Sequence, residues 1–221
     1  LDSKLYMVSL GPGDFELVTL KALRVLKESD VVLIPSKSKE SFDKSMTYKI
    51  VKRLMSEYGF DKKIVLVYAP MKFKKEDWQK QVEIIEQNCK KHTKVSFVTL
   101  GDSAIYSSVY YLLDLLKEKN AFLWENSEVV AGVTSFSQAS AKVKKPLCVG
   151  DSALEIVPLL DYEVPKTKIY MRPKIGMDTS LIEEEGSFYT FENLNFKDEH
   201  IMKGKKSRVK RYMTLFIDFF K

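Results

Sequence analysis

Glycine, proline and aspartate meet in KLYMVSLGPGD at Lys4–Asp14, where an apolar stretch ends in Gly11, Pro12, Gly13 and Asp14. Glycine lets a backbone approach a ligand closely, and proline stiffens a turn. Two further runs repeat the arrangement, each after its own apolar stretch: TLGDSAIYSS at Thr99–Ser108 and VVAGVTSFSQA at Val129–Ala139. Ligands of α/β proteins collect at the carboxyl ends of strands, so three such turns predict a pocket built mainly from main chain. None carries the Lys–Ser/Thr pair of a phosphate-binding loop. Gly11-Pro12-Gly13-Asp14-Phe15-Glu16 lacks the third glycine of a dinucleotide fingerprint, and Ile34 is followed by Pro35 and Ser36 instead of an acidic residue. Asp14 sits where it either touches a ligand or caps the next helix.

Side chains suited to nucleophilic chemistry are scarce. VTSFS around Ser135 and Ser137 is not the G-x-S-x-G elbow. Two histidines, His92 and His200, supply few bases for a serine or cysteine enzyme. Together with Cys89 and Cys148 they make neither a metal cluster nor a disulfide framework, so no protein-held metal is expected. Glu183, Glu184 and Glu185 read as a charged helix end rather than a catalytic pair. The chemistry left asks little of side chains. It is group transfer from an activated cofactor, for which the protein supplies proximity and alignment.

The elements that must hold these turns alternate. Apolar runs at Leu5–Leu10, Val31–Ile34, Lys63–Tyr68 and Val95–Leu100 predict strands, with Pro35 marking the end of the second. Between them, Leu17–Lys27, Met46–Tyr58 and Glu76–Lys91 carry apolar residues at helical spacing, and Gly59 stops the second helix. Ile105, Val109, Leu112, Leu113 and Leu116 form another helical stripe. Continuous apolar strands between amphipathic helices predict a mostly parallel sheet covered on both faces. The polar tract Lys117–Glu128 suggests a boundary, giving domains 1–118 and 119–221. The second half is less regular. Strands are expected at Val129–Val130, Thr167–Met171, Phe188–Phe191 and Arg211–Phe219, and helices near Ser135–Val143 and Asp178–Glu184. A mixed sheet is expected there, with the long aromatic last strand antiparallel.

The chain has 221 residues, 45% hydrophobic and 30% charged, which suits an α/β globule of one or two domains. The net charge of +6 favours an anionic ligand or nucleic acid, weakly. The densest basic run is Lys203, Lys205, Lys206, Arg208, Lys210 and Arg211, which suits either a solvated turn or an acidic partner. No apolar run has the length of a membrane span. LDSKLYMVSL has no positive segment followed by an apolar one, so no secretory leader is expected and a cytoplasmic location is.

Taken together, the motifs are specific. LGPGD at Leu10–Asp14 with ELVTLKALRVLKESDVVLIP at Glu16–Pro35 resembles the start of a tetrapyrrole methylase. TLGDSAIYSS, AGVTSFSQASA at Ala131–Ala141, PLCVGDSALEIVP at Pro146–Pro158 and FENLNFKDEHI at Phe191–Ile201 extend the likeness over most of the chain. YSSVYYLLDLL at Tyr106–Leu116 and Trp78 are similar to the branch that methylates carbon 20 of precorrin-2 or cobalt-factor II. The resemblance implies a two-domain α/β fold, S-adenosylmethionine held between the domains, S-adenosylhomocysteine as product, and a homodimer. It implies a tetrapyrrole-facing turn at Gly11, Pro12, Gly13 and Asp14. It implies cofactor contacts at Gly101, Asp102, Ser103, Ala104, Ile105, Tyr106, Thr134 and Ser135, and at Ala153 and Leu154. Asp14 and Asp102 are the candidate proton acceptors. Arg172, Lys174 and the Lys37–Lys44 region are candidate anchors for the carboxylates of an anionic tetrapyrrole. Neither a nucleic acid nor a membrane is an expected partner on this reading. The alternatives are a methylase of the same fold acting on another ring carbon, or a basic protein that binds or methylates RNA. The sequence departs from the family pattern at Ser9, in place of glycine, and at Ser103 and Ala131, in place of proline.

Overall fold

The expected alternation of strand and helix appears in the computed structural model, which describes residues 3–43, 45–70, 74–150, 153–156, 167–171, 173–180, 182–193, 197–212 and 214–219. The chain divides into two compact units, Leu1–Ala153 and Leu154–Lys221. The first contains β1 (Lys4–Ser9), α1 (Leu20–Glu28), β2 (Val31–Ser36), α2 (Met46–Tyr58), β3 (Lys63–Tyr68) and α3 (Lys75–Cys89). It continues with β4 (Lys94–Thr99), α4 (Val109–Lys119), α5 (Ala121–Glu125), β5 (Ser127–Val130) and α6 (Ser135–Val143).

The five strands form one parallel sheet in the order β3-β2-β4-β1-β5. Successive side chains of a strand face opposite ways. Leu5, Met7, Val31, Leu33, Val95 and Phe97 therefore pack against α3, α4 and α5, while Val8, Val32, Ile34 and Val98 pack against α1 and α2. Each fully buried large apolar side chain contributes about 1.5–3 kcal/mol. Trp78 stacks on Tyr111 with 4.3 Å between ring centroids, tying α3 to α4.

Local chemistry sets the element ends. Thr19 Oγ1 accepts from the Ala22 amide, so α1 begins at Leu20 and not at the predicted Leu17. Phe15–Leu17 forms a single 3-10 turn instead. Gly59 ends α2 in the left-handed conformation at φ 59°. β2 runs through Pro35 to Ser36, beyond the predicted stop at Ile34. Pro35 lies past the Val31–Leu33 stretch paired to β4, where a missing N–H is tolerated. Ile105 belongs to the turn before α4, not to its apolar stripe.

The boundary expected after residue 118 falls inside the first unit. β5 pairs with β1 along Leu5–Val8, and this long-range pairing binds the polar tract at Lys117–Glu128 into the first sheet.

The second unit contains β6 (Lys168–Met171), β7 (Ser187–Glu192), β8 (His200–Lys203) and β9 (Thr214–Phe219). They pair antiparallel throughout in the order β6-β9-β7-β8, around a small core of Ile182, Phe188, Val209 and Phe216. The helix expected near Asp178–Glu184 does not form among the described residues. Asp178 bridges Arg208 there, and the Gly176 and Thr179 amides bond to Val209 and Ser207 carbonyls. Edge strand β8 was not expected from sequence; its short, largely exposed run has too little apolar alternation to signal a strand. No helix among the described residues is long and apolar enough to cross a membrane.

Candidate functional site

The strand order creates a switch point. β1 and β4 are neighbours, yet β1 continues through α1 to β2 on one side, while β4 continues through α4 and α5 to β5 on the other. α1 and α4 also lie on opposite faces of the sheet. Ligand crevices form beyond the carboxyl ends of strands whose connections diverge in this way.

The three glycine turns follow β4, β1 and β5, which are adjacent in the sheet. Gly11 and Gly101 form an antiparallel bridge: the Gly11 amide donates to Gly101 O at 3.1 Å, and the Gly101 amide donates to Gly11 O at 2.7 Å. A Cβ on Gly132 would stand 2.6 Å from Ser9 Cβ, 2.7 Å from Gly101 O and 3.5 Å from Gly11 N. The turns therefore meet at backbone contact, and only a residue without a side chain fits at the centre.

Gly11, Gly101 and Asp102–Tyr106 lie in this cluster of turns, and Thr134 caps α6 beside it, accepting from the Ser137 amide. Asp14 and Asp102 each hold their own turn: Asp14 Oδ1 accepts from the Glu16 amide at 3.0 Å, and Asp102 Oδ1 from the Ala104 amide at 2.9 Å. Partial burial, with the Asp102 carboxylate nearby, pushes the Tyr110 phenol above its ordinary pKa. Tyr106 is 70% exposed and adopts φ 49°, a left-handed conformation costly for a bulky residue. Ala153 and Leu154 are exposed; along the chain, Ala153 is the last residue of the first unit and Leu154 the first of the second. Lys44 and Arg172 lie outside the described residues, whereas Lys37, Lys39 and Lys174 are described. Lys39 rests over the Tyr68 ring at 5.2 Å.

Sequence reasoning missed the structural role of Ser9. It is fully buried, and its Oγ accepts from the Ser103 amide at 3.0 Å. Its only sequence signal was a serine in a glycine's place at a strand end.

Lys205, Lys206 and Arg211 of the basic run pair with acidic side chains inside the second unit. Lys206 Nζ lies 2.7 Å and Arg211 Nε 3.7 Å from the buried Glu192 carboxylate. Arg211 also pairs with Asp198, and Lys205 with Glu184. A shallow groove of about 370 Å³ between α3 and α4, lined by residues including Gln79, Glu83 and Leu115, contains none of the predicted site residues. No group of three or more metal-ligating side chains is assembled among the described residues.

Residues 4–176 match the family model of Tetrapyrrole (Corrin/Porphyrin) Methylases. The chain is 32% identical over 218 residues to a protein of Methanocaldococcus jannaschii named probable cobalt-precorrin-2 C(20)-methyltransferase, covering 95% of this chain and 90% of that protein. It is 28% identical to the Salmonella typhimurium cobalt-precorrin-2 C(20)-methyltransferase, over 71% of this chain and 64% of that one. The fold is also that of uroporphyrin-III C-methyltransferase from Thermus thermophilus, solved with S-adenosylhomocysteine. The TM-score is 0.50 at 20% identity, covering 97% of this chain and 96% of that one.

Proposed function

This chain belongs to the tetrapyrrole (corrin/porphyrin) methylases, and from that membership we propose that it methylates carbon 20 of precorrin-2 or cobalt-factor II in corrin biosynthesis. The donor is S-adenosylmethionine, the methyl source of this family. The observation that carries the ring position is the 32% identity, along 95% of the chain, to a relative named for that carbon.

The arrangement of turns suits the chemistry. The reduced macrocycle brings an electron-rich meso carbon to the sulfonium methyl. A carbon–carbon bond forms as the sulfur–methyl bond breaks, the electron pair stays on sulfur, and S-adenosylhomocysteine leaves. The proton on carbon 20 is then lost. The protein's main contribution is to hold donor and ring in line, which is worth several kcal/mol, up to about 7–11 in well-oriented cases. In this reading, Gly101–Tyr106, Thr134 and Ser135 seat the donor, with Ala153 and Leu154 as further candidate contacts. Gly11–Asp14 faces the ring, and Asp14 and Asp102, each of which also holds its own turn, are the candidate proton acceptors. The +6 charge favours a substrate bearing many carboxylates, with Lys37, Lys39 and Lys174 as anchors. The functional unit is a homodimer, which sedimentation tests directly.

Incubation with methyl-labelled S-adenosylmethionine and either precorrin-2 or cobalt-factor II tests the assignment. Label at carbon 20 supports it. Label at another ring carbon moves the chain to a sister activity, and label transferred only to RNA rejects the tetrapyrrole reading.

A further inference from the structure

We infer that Ser9 is a positioning residue that seats the donor loop, an inference resting on the methyltransferase reading above. Ser9 is the last residue of β1 and is fully buried. Its hydroxyl oxygen accepts from the amide of Ser103, 94 residues away and itself 2% exposed. The reciprocal Gly11–Gly101 bonds fasten the base of the loop after β4. The Ser9–Ser103 bond fastens it two residues further on, where the chain leaves the sheet. Ser9 Cβ also stands 2.6 Å from where a Gly132 side chain would begin, so the same residue limits the approach of the turn after β5. One side chain thus sets the spacing of all three turns.

The loop's own side chain does not do this. Ser103 Oγ is buried and makes no hydrogen bond among the described residues, so the segment is held through its amide. A buried amide that loses its acceptor forces the loop to shift. A loop that binds through main chain has no side-chain freedom with which to recover a displaced contact.

Calorimetric titration with S-adenosylhomocysteine tests the inference on the full chain and two variants. Ser9→Ala removes the acceptor. Ser96→Ala removes a comparable buried bond of the same sheet, the 2.6 Å contact between Ser96 Oγ and Ser29 Oγ, which touches none of the three turns. Ser9→Ala is expected to raise the Kd about tenfold, the scale of one lost buried hydrogen bond. Ser96→Ala is expected to lower the melting temperature while leaving the Kd unchanged. Equal affinity in Ser9→Ala and the unaltered chain, or equal losses in both variants, overturns the inference. If Ser9→Ala does not fold by circular dichroism, Ser9→Gly is read in the same way; failure of both makes Ser9 structural and also overturns it. An unaltered chain that takes up none of the product overturns the donor site itself, and the role of Ser9 with it.

Discussion

Gly11 and Gly101 exchange two main-chain hydrogen bonds although they follow two different parallel strands, and both adopt φ 73°. An L side chain is strained at either position. The bridge joins the turn expected to face the ring to the turn expected to hold the donor. It makes them one rigid object, and several measurable consequences come from that joint.

Gly132→Ala tests the joint most directly. The added methyl group meets Ser9 Cβ and Gly101 O well inside contact distance, and neither neighbour is the end of a flexible side chain. Overpacking of this kind costs about 1–3 kcal/mol. Both a lower melting temperature and a Kd for S-adenosylhomocysteine weakened at least tenfold are expected. A variant with unaltered binding shows that the three turns do not act together.

Tyr106 presents the opposite case. Its left-handed backbone costs about 1–2 kcal/mol, and its exposed ring recovers little of that by packing. Glycine removes the strain and adds an unfolded-state entropy cost of about 0.5–1 kcal/mol. Tyr106→Gly is expected to leave the ligand-free protein as stable or slightly more stable in urea titration, while methyl transfer falls. Equal turnover in the variant removes Tyr106 from the donor site.

Lys206 is expected to matter for stability rather than for nucleic acid. Glu192 is 1% exposed, and among the described residues Lys206 at 2.7 Å is its nearest cation, with Arg211 at 3.7 Å and the His200 ring at 3.9 Å. Lys206→Met leaves that carboxylate buried and under-compensated, which costs about 3 kcal/mol. Glu192→Leu in the same chain recovers part of the loss. Denaturant unfolding of the second unit measures both, and an unchanged midpoint in Lys206→Met makes the basic run a solvated surface.

Cys89 gives an alkaline signature. Burial, with Glu86 nearby, pushes its thiol up to about 11, whereas an unfolded thiol titrates near 8.5. The folded chain therefore holds this proton more tightly. The contribution is full below about pH 8.5 and is lost as pH rises toward 11, by an amount of order 3 kcal/mol. Urea midpoints at pH 8 and pH 10.5 are expected to fall further apart in the unaltered chain than in Cys89→Ala. Identical pH dependence in the two removes Cys89 as the cause. The exposed Cys148 is expected to react with a maleimide at neutral pH while Cys89 stays protected.

Local patterns in the sequence determined the first unit's alternation of strand and helix, the helix Met46–Tyr58 with its Gly59 stop, and the three glycine turns. Periodicity, capping and turn chemistry depend on neighbours a few residues apart, so they can be read along the chain. The patterns failed where distant pairing decides. The tract near residue 120 looked like a linker until β5 was paired with β1, and Asp178–Glu184 looked helical until Arg208 and Val209 were brought beside it. Only the tertiary structure decided that β1 lies between β4 and β5. That strand order brings the turns into contact and lets the Ser9 hydroxyl reach an amide 94 residues away. Such contacts come from the order in which strands pair, which short-range spacing does not encode.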